Sequence, residues 1–296
     1  MNVTKWMKTH TQDLSGKTVA ITGSTGGLGT KLCAYLASLN ANLLLLNRSE
    51  KKTLAQQQAI LSEYPNTRME FVQMDQGDFE NVKSVCEQLK NKEIDYLIIN
   101  AGVYNVPLVT TDTGYNNIFQ INFLSPYYLV KTLLPHLQER KSKVVVVGSL
   151  AHHFSKLDAT DADFSHHKGA NKIYGNSKRF LLFSMFELFK NQTDVKLTIA
   201  HPGVTLTNMT NHYPKAINWF IKGGIKIVFP SPQKAALSVI DGLFTDCGYC
   251  EWIGPSVFGI WGKPKKRKLR SCKSDERKQI FKIAESIFEK LQNTAE

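Results

Sequence analysis

The sequence has little of what marks a secreted, membrane-spanning or multidomain chain. Its 296 residues include five cysteines, an odd number that argues for reduced thiols rather than a disulfide framework. No run approaches the roughly 20 apolar residues of a membrane span, and the polar segment 1–15 lacks the apolar region of a signal peptide. Internal repeats and Pro/Gly-rich linkers are also missing. These absences predict a cytoplasmic chain in which residues 1–296 fold as a single domain.

Metal-binding residue types are too sparse to predict a metal site. Cys247-Gly-Tyr-Cys250 has the spacing of a zinc knuckle or redox pair, but no second cysteine pair exists to complete a zinc site. The histidine pairs could in principle bind a metal, but His152-His153 directly follows Ser149-Leu-Ala, and His166-His167 lies in a polar insertion that also contains Asp158, Asp161 and Asp163. We therefore expect cysteines of the core or of a strand edge, and histidines in loops.

A glycine-rich loop is the first positive signal. Residues 18–22 form a short β-branched run, and residues 22–29 read Thr-Gly-Ser-Thr-Gly-Gly-Leu-Gly. Apolar side chains then recur at helical spacing. Glycines in such a turn allow positive φ and let a diphosphate approach the amides, while the helix N-terminus attracts the anion. The segment predicts a strand, a phosphate-binding turn and a helix, with an ordinary tight turn as the alternative.

Further apolar runs alternate with helical stretches along the chain. They cover residues 43–46, 69–74, 96–99, 144–147 and 195–200. This alternation predicts an α/β fold, a doubly wound parallel sheet of about seven strands with helices on both faces. Polar or glycine residues follow nearly every run, and in an open parallel sheet the carboxyl ends of the strands form the ligand crevice. Candidate functional residues therefore lie at these ends.

A phenol and an ammonium are four residues apart in Tyr174-Gly-Asn-Ser-Lys178, within a segment that has a helical pattern. Side chains at i and i+4 share a helix face. A neighbouring cation favours the phenolate and so lowers the tyrosine pKa, which makes the phenol a usable proton donor and acceptor. A surface pair that covers an apolar stripe is the alternative.

Four motifs follow one another in a fixed order. They are the glycine loop at 22–29, Asn100-Ala101-Gly102, Ser149 ahead of Tyr174-x-x-x-Lys178, and Pro202-Gly203. In this order they resemble the short-chain dehydrogenase/reductase family over roughly the first 260 residues. The stretch after Ser149 is most similar to the family's retinol-dehydrogenase-like branch. The resemblance implies a Rossmann-type fold and a hydride transfer between a nicotinamide and a carbonyl or alcohol.

The resemblance also implies a role for each site residue. Tyr174 is the general acid/base, and Ser149 hydrogen-bonds the substrate oxygen. Lys178 holds the nicotinamide ribose and lowers the Tyr174 pKa. Asn122, which falls where the family has a helix asparagine, helps hold a water that links Lys178 to solvent. The full set of expected cofactor-binding residues is Gly23, Thr25, Gly27, Leu28, Gly29, Arg48, Asp75, Gln76, Asn100, Ala101, Gly102, Tyr174, Lys178, Pro202, Gly203 and Val204.

The charge at the end of the second strand indicates which dinucleotide is bound. An acidic residue there binds the adenosine ribose hydroxyls and repels a 2′-phosphate, whereas a basic residue attracts it. Asn47-Arg48 occupies this place, so we predict NADP(H) rather than NAD(H), with Arg48 and Thr25 near the 2′-phosphate. An arginine that merely extends into solvent is the alternative. By resemblance, Asp75 meets the adenine, with Gln76 beside it.

The segment from about 205 to 232 falls where the family has a variable substrate lid. It is rich in apolar side chains, which favour a hydrophobic ligand: Met209, Tyr213, Ile217, Trp219, Phe220, Ile221, Ile225 and Ile227. The alternative is that these residues pack the lid onto its own domain. With the resemblance, the lid predicts a small hydrophobic carbonyl or alcohol substrate, such as a lipophilic aldehyde, ketone, steroid or retinoid-like alcohol.

A basic run and an amphipathic pattern make up residues 263–296. Much of the net charge of +12 is concentrated between Lys263 and Lys273, and an apolar face recurs over residues 275–291. We prefer a solvated basic loop followed by a helix docked on its own domain or on a partner subunit. Peripheral contact with a membrane is the alternative. We expect no specific nucleic-acid partner, and a homodimer is a further expectation from the family.

Two functions of different classes are compatible with the sequence. The first is an NADP(H)-dependent carbonyl reductase or alcohol dehydrogenase. The second is a catalytically silent NADP(H)-binding sensor or scaffold that acts through its basic C-terminal region. The intact set of Ser149, Tyr174 and Lys178 favours the enzyme, because a sensor has no chemical need of all three.

Overall fold

The computed structural model describes residues 2–203 and 230–293. The helices of this part are α1 (Val3–His10), α2 (Gly27–Ser38), α3 (Glu50–Glu63), α4 (Phe79–Leu89), α5 (Asn117–Phe119), α6 (Ser125–Glu139), α7 (Ala170–Leu188), α8 (Pro232–Phe244) and α9 (Ser274–Asn293). The strands are β1 (Thr18–Thr22), β2 (Asn42–Asn47), β3 (Met69–Gln73), β4 (Tyr96–Ile99), β5 (Lys143–Val147), β6 (Lys196–Ala200), β7 (Glu251–Val257) and β8 (Trp261–Lys268). A π-helix (Gln120–Leu124) joins α5 to α6, and a 3₁₀ helix (Leu150–Phe154) follows β5.

The strands form one sheet in the order β3-β2-β1-β4-β5-β6-β7-β8. The first seven run parallel, and β8 pairs antiparallel with β7. The predicted fold class is confirmed, with one strand more than the seven expected. The strand order reverses between β1 and β4, and in open α/β sheets the ligand crevice lies outside the carboxyl ends of the strands at such a reversal.

Helices cover both faces of the sheet, because the strand side chains alternate between two apolar layers. Leu44 and Leu46 of β2 belong to the layer beneath α4, α6 and α7. Leu43 and Leu45 belong to the opposite layer, which α2 and α8 cover. Strands buried on both faces have continuous apolar sequences, so the uninterrupted runs predicted these strands to within a residue or two.

The basic run forms a strand and not the solvated loop that we predicted. Residues 261–268 are β8, whose register pairs Gly254 with Lys265 and Ile253 with Lys266. The exposed edge of β7 would otherwise leave its backbone groups unpaired, and charged side chains on the new edge strand discourage further strand addition. Backbone pairing, which the sequence pattern does not show, therefore overrides the polar composition.

The C-terminal helix α9 packs on its own domain, as the preferred interpretation stated. Ile280, Ala284, Ile287 and Phe288 are buried in the layer that also contains α6 and α7. Arg179 of α7 donates from Nε to Glu276 Oε1 over 2.6 Å. The apolar face of α9 is therefore taken up within the molecule.

We expect the substitution Arg277→Met to lower the free energy of unfolding by roughly 3–5 kcal/mol. Arg277 Nε donates to Glu187 in a buried ion pair, and Nη1 donates to the Cys272 carbonyl over 2.9 Å. Removing the guanidinium leaves the Glu187 carboxylate buried without its countercharge. Urea unfolding measures the change. The control Lys278→Met, at an exposed position of the same helix, should change it by about 0.5 kcal/mol or less. Equal losses in both variants would contradict the prediction.

The cysteines and histidines take places that the sequence only partly predicted. Cys250 is buried with its Sγ 3.7 Å from Cys272 Sγ, and burial raises the pKa of the Cys272 thiol to about 12. The prediction that His152 lies in a loop is wrong. His152 is buried in the 3₁₀ helix, and its Nε2 is 2.7 Å from Ser271 Oγ. Across residues 2–203 and 230–293, no group of three or more His, Cys, Asp or Glu side chains is arranged to hold a metal ion.

Candidate active site

The glycine loop brings β1 and α2 unusually close. Gly23 has φ +65°, and a Cβ built on it would lie 2.9 Å from Ala101 Cα, so a larger residue would clash with the loop after β4. A Cβ on Gly29 would lie 2.5 Å from the Gly23 carbonyl oxygen. No side chain caps the N-terminus of α2 at Gly26. The turn therefore presents backbone amides, with the positive end of a 12-residue helix, to the crevice.

Asn100 ties the loops after β1 and β4 together. Its Nδ2 donates to the Thr22 carbonyl over 2.9 Å and to the Gly23 carbonyl over 3.0 Å. In the opposite direction, the amides of Asn100 and Ala101 donate to Thr22 Oγ1, each over 3.0 Å. These bonds fix the two loops at the point where the strand order reverses. The structure thus brings the predicted Asn100-Ala101-Gly102 segment alongside the glycine loop.

A buried polar network behind the glycine loop was missed by the sequence analysis. Asn47 Nδ2 donates to Ser24 Oγ over 2.7 Å, and Ser24 Oγ donates to Gln56 Oε1 over 2.7 Å. Gln56 Nε2 in turn donates to the Ser24 carbonyl over 2.8 Å. Each residue belongs to a different segment, so sequence spacing gives no signal for the group. The network holds the loop to β2 and α3.

Arg48 and Asp75 lie at the carboxyl ends of the neighbouring strands β2 and β3. Arg48 Nε is 4.0 Å from Asp75 Oδ2, and 74% of the Arg48 side chain is exposed. Asp75 Oδ1 accepts from the Gly77 amide over 2.9 Å. Gln76 is buried, and its Nε2 has no hydrogen-bond partner among the described residues. A basic group at the rim and two polar groups beside it therefore line this end of the crevice.

Asn122 lies within the π-helix and reaches back to the loop after β4. Its Oδ1 accepts from the Val103 amide over 2.7 Å, and its Nδ2 donates to the Val103 carbonyl over 2.9 Å. Nδ2 also donates to Ser177 Oγ over 3.1 Å. π-Helical turns are rare and occur frequently at functional sites. The extra residue in this turn brings Asn122 to Ser177 of α7, and Ser177 directly precedes Lys178.

Ser149 and Tyr174 meet at the end of β5. The Ser149 hydroxyl hydrogen-bonds the Tyr174 hydroxyl, and this bond acts to lower the tyrosine pKa. Burial outweighs it and raises the pKa of Tyr174 to about 12, so the predicted lowering is wrong in direction. The Tyr104 ring packs edge-on against the Tyr174 ring, with centroids 5.2 Å apart. At neutral pH the Tyr174 phenol therefore carries its proton.

Lys178 is buried and reaches the carboxyl edge of the sheet. Its Nζ donates to the Val147 carbonyl over 3.2 Å, and a Cβ built on Gly102 would lie 3.6 Å from Nζ. Burial lowers the pKa of Lys178 to about 8, because the charged form loses hydration. The ammonium form still predominates at pH 7. A buried cation therefore lies between the ends of β4 and β5.

Pro202 and Gly203 follow β6 at the same edge. Gly203 has φ +86°, and a Cβ built on it would lie 3.1 Å from the Ile260 carbonyl oxygen in the β7–β8 connection. The predicted cofactor contact Val204 and residues 205–229 of the predicted lid lie outside the described residues. The described members of the predicted site therefore share one edge of the sheet.

Comparisons with known proteins agree with this arrangement. The model of the short chain dehydrogenase family matches residues 17–218. An uncharacterized oxidoreductase of Schizosaccharomyces pombe is 29% identical over 254 residues, which cover 80% of this chain and 75% of the relative. Retinol dehydrogenase 13 of Mus musculus is 28% identical over 233 residues, which cover 75% of this chain and 70% of the relative.

Solved structures share the fold. An uncharacterized protein from Mycobacterium paratuberculosis has a TM-score of 0.76 at 22% identity, and the match covers 94% of this chain and 95% of that protein. A short-chain dehydrogenase from Sphingobium yanoikuyae in complex with NADPH has a TM-score of 0.57 at 21% identity, covering 74% and 81%. Because the family model spans more than half of the sequence, the chain belongs to the short-chain dehydrogenase family of oxidoreductases, which act on CH–OH and C=O groups.

Proposed function

We propose that the protein is an NADP(H)-dependent oxidoreductase that reduces the carbonyl of a lipophilic substrate, or oxidises the corresponding alcohol, with Tyr174 as general acid/base. The observation that carries the proposal is the meeting of three groups at one edge of the sheet. Ser149 hydrogen-bonds Tyr174, and the Lys178 ammonium lies beside the end of the same strand. These groups suit the stabilisation and protonation of a developing alkoxide.

The residues present fit a dinucleotide. The uncapped α2 N-terminus and the close approach at Gly23 suit a diphosphate, because no side chain fills the space at the amides. The buried Gln76 Nε2 and Asn47 Oδ1 have no partners among the described residues. Arg48 at the rim favours a 2′-phosphate, which supports NADP(H) over NAD(H). A Sphingobium yanoikuyae structure of the same fold was solved with NADPH.

In the reductive direction the residues act in order. A bound dihydronicotinamide would supply the hydride to the carbonyl carbon. As the C=O π electrons move onto oxygen, Ser149 donates a hydrogen bond to it and Tyr174 transfers its phenolic proton to it. Lys178, whose Nζ lies at the end of β5, would hold the nicotinamide ribose hydroxyls. Asn122, fixed between the loop after β4 and Ser177, would help deliver the replacement proton from solvent through Lys178.

Two observations support a lipophilic substrate. The 3₁₀ helix that follows Ser149 ends in Phe154, whose side chain is 57% exposed and whose Cβ is 3.4 Å from a Cβ built on Gly175, the residue after Tyr174. Relatives in the comparison include retinol dehydrogenases 13 and 14 and a polyprenol dehydrogenase, whose names denote lipophilic alcohols. An apolar surface beside the proton donor would bind the substrate chain and leave its oxygen at Tyr174.

A turnover screen tests the proposal. We expect NADPH oxidation with long-chain aldehydes, retinal and steroid ketones, and kcat/KM should rise about tenfold for every two methylenes that become buried, since each contributes about 0.8 kcal/mol. Acetone and glyceraldehyde serve as short controls. Turnover of the short carbonyls alone would contradict the lipophilic substrate. Tight NADPH binding without any turnover would contradict the reaction and favour the sensor or scaffold alternative.

A further inference from the structure

The connection between β7 and β8 exposes apolar side chains at its tip. Phe258 is 84% exposed, more than any other large apolar side chain in the described part of the chain, and its φ is +50°. Val257 is 46% exposed and Trp261 is 39% exposed. A non-glycine residue at positive φ is sterically unfavourable, and a phenyl ring exposed to water is unfavourable because of the hydrophobic effect. We call residues 257–261 the hairpin tip.

Positive charge lies directly behind the hairpin tip. Residues 252–274 contain no Asp or Glu, whereas seven cations occur in this stretch: Lys263, Lys265, Lys266, Arg267, Lys268, Arg270 and Lys273. Lys266 has Glu251 within 3.7 Å. Among the ion pairs of residues 2–203 and 230–293, none includes Lys263, Lys265 or Lys268. The edge strand therefore presents uncompensated charge to solvent.

The apolar and basic side chains occur in a fixed sequence along the strand. The register shifts by one residue between the pairs Pro255–Pro264 and Val257–Trp261, so side chains do not alternate regularly through residues 262–263. Beyond this shift, Lys263 and Lys265 are both exposed on the edge strand behind the tip. No strand lies beyond β8 in the described sheet. At a bilayer, aromatic rings settle at the level of the headgroups, and lysines behind them reach the lipid phosphates. The hairpin has this order of groups, with aromatic side chains at the tip and exposed lysines behind them.

We propose that the hairpin tip and the basic edge strand β8 form a docking surface for a bilayer that carries anionic phospholipid headgroups. Attraction to anionic headgroups explains the lysines that have no acidic partner. Insertion of the hairpin tip into the bilayer explains why Phe258 and Val257 are exposed. A soluble polyanion would use the lysines but would leave the aliphatic Val257 without a role. The observations therefore favour a lipid surface over a nucleic acid.

The docking element differs from the one in the alternative interpretation of the sequence. That alternative assigned the membrane contact to the basic run together with the amphipathic segment 275–291, which is helix α9. Its apolar face is buried against the domain, with Ile280 and Ala284 almost fully covered. No helix in the described part of the chain is both long and apolar enough to cross a bilayer. Contact would therefore be peripheral and made by a β-hairpin.

The hairpin tip lies beside the candidate active site. His201 Nε2 is 3.0 Å from the Gly259 carbonyl oxygen, and His201 directly precedes Pro202. A Cβ built on Gly259 would lie 3.3 Å from Leu150, the residue after Ser149. A docked hairpin would thus place the mouth of the crevice at the lipid surface. If the proposed lipophilic substrate is correct, that substrate would enter from the bilayer, but the docking surface itself does not depend on the reaction.

Vesicle co-sedimentation of the full chain tests the proposal. Vesicles of one part phosphatidylserine to two parts phosphatidylcholine should retain the protein, whereas phosphatidylcholine alone should retain far less. The double substitution Lys263→Glu/Lys265→Glu should weaken partition roughly 30-fold, at about fivefold for each lysine removed. Phe258→Ser should weaken it about tenfold. The matched control is Lys51→Glu/Lys52→Glu, in α3 near the opposite edge of the sheet, which should partition like the parent.

Each outcome bears on the proposal. Equal retention on both vesicle types, or equal loss in the α3 control, would overturn it. Loss for the lysine variant with full retention of Phe258→Ser would show binding by charge alone, as to any polyanion, without insertion of the tip, and would also overturn it. NADPH binding and thermal unfolding of each variant, measured without lipid, show that the chain remains folded. Because these readouts need no turnover, failure of the proposed reaction would leave the result on docking intact.

Discussion

Replacing Tyr174 by phenylalanine is expected to lower kcat roughly 10²–10⁴-fold and to leave the NADPH dissociation constant within about twofold of the parent value. The substitution removes only the phenolic oxygen that hydrogen-bonds Ser149. The ring, with its edge-on contact to Tyr104, stays in place. Without a proton donor, the developing alkoxide must take its proton from water.

Two measurements separate the chemical role of the Tyr174 hydroxyl from a role in cofactor binding. Single-turnover rates with saturating NADPH isolate the chemical step, and fluorescence titration reports cofactor binding. Tyr64→Phe is the matched control, because its hydroxyl lies at the C-terminal end of α3 and contacts Glu63. A Tyr174→Phe variant with more than a tenth of the parent rate would exclude Tyr174 as the general acid. A large increase in the dissociation constant would indicate a binding role instead.

The substitution Arg48→Asp is expected to reverse the coenzyme preference. Hydrogen bonds to a charged group contribute about 1.5–3 kcal/mol each, and a carboxylate in this place would repel a 2′-phosphate. The ratio of kcat/KM for NADPH to that for NADH should therefore fall roughly 10²-fold. The change should reside in KM for NADPH, because Arg48 lies at the end of β2, away from Tyr174 at the end of β5.

Steady-state kinetics with both coenzymes checks the Arg48 prediction. Lys52→Asp makes the same change in charge at an exposed position of α3 and should leave the ratio within about threefold. A high ionic strength should narrow the difference between parent and Arg48→Asp, since salt screens exposed charges. An unchanged ratio in Arg48→Asp would show that Arg48 only extends into solvent, as the alternative interpretation held.

Local sequence was sufficient for the features that depend on neighbouring residues. Continuous apolar runs identified β1 and β4 at their observed bounds, because strands buried on both faces need apolar side chains throughout. The glycine loop could also be predicted from the sequence. Gly23 has φ +65°, and a Cβ there would clash with Ala101, so the position requires glycine. The fold class and the edge of the sheet that carries the candidate site follow from such patterns.

Other features of the site required the folded chain. The pKa of Tyr174 depends on burial by surrounding segments, so the i+4 spacing to Lys178 predicted the wrong direction. The network of Asn47, Ser24 and Gln56 joins three segments that have no common spacing. The π-helical turn that carries Asn122 to Ser177 also left no recognisable pattern.

The C-terminal region separates the two kinds of information most clearly. The sequence by itself determined the number of cations, the absence of acidic residues between 252 and 274, and the amphipathic period of α9. Only the tertiary structure decided that the cations lie on an edge strand, that the apolar face of α9 is buried, and that Phe258 is exposed beside the site. Backbone pairing and burial are contacts between distant segments, and a linear pattern cannot specify which distant segment supplies them.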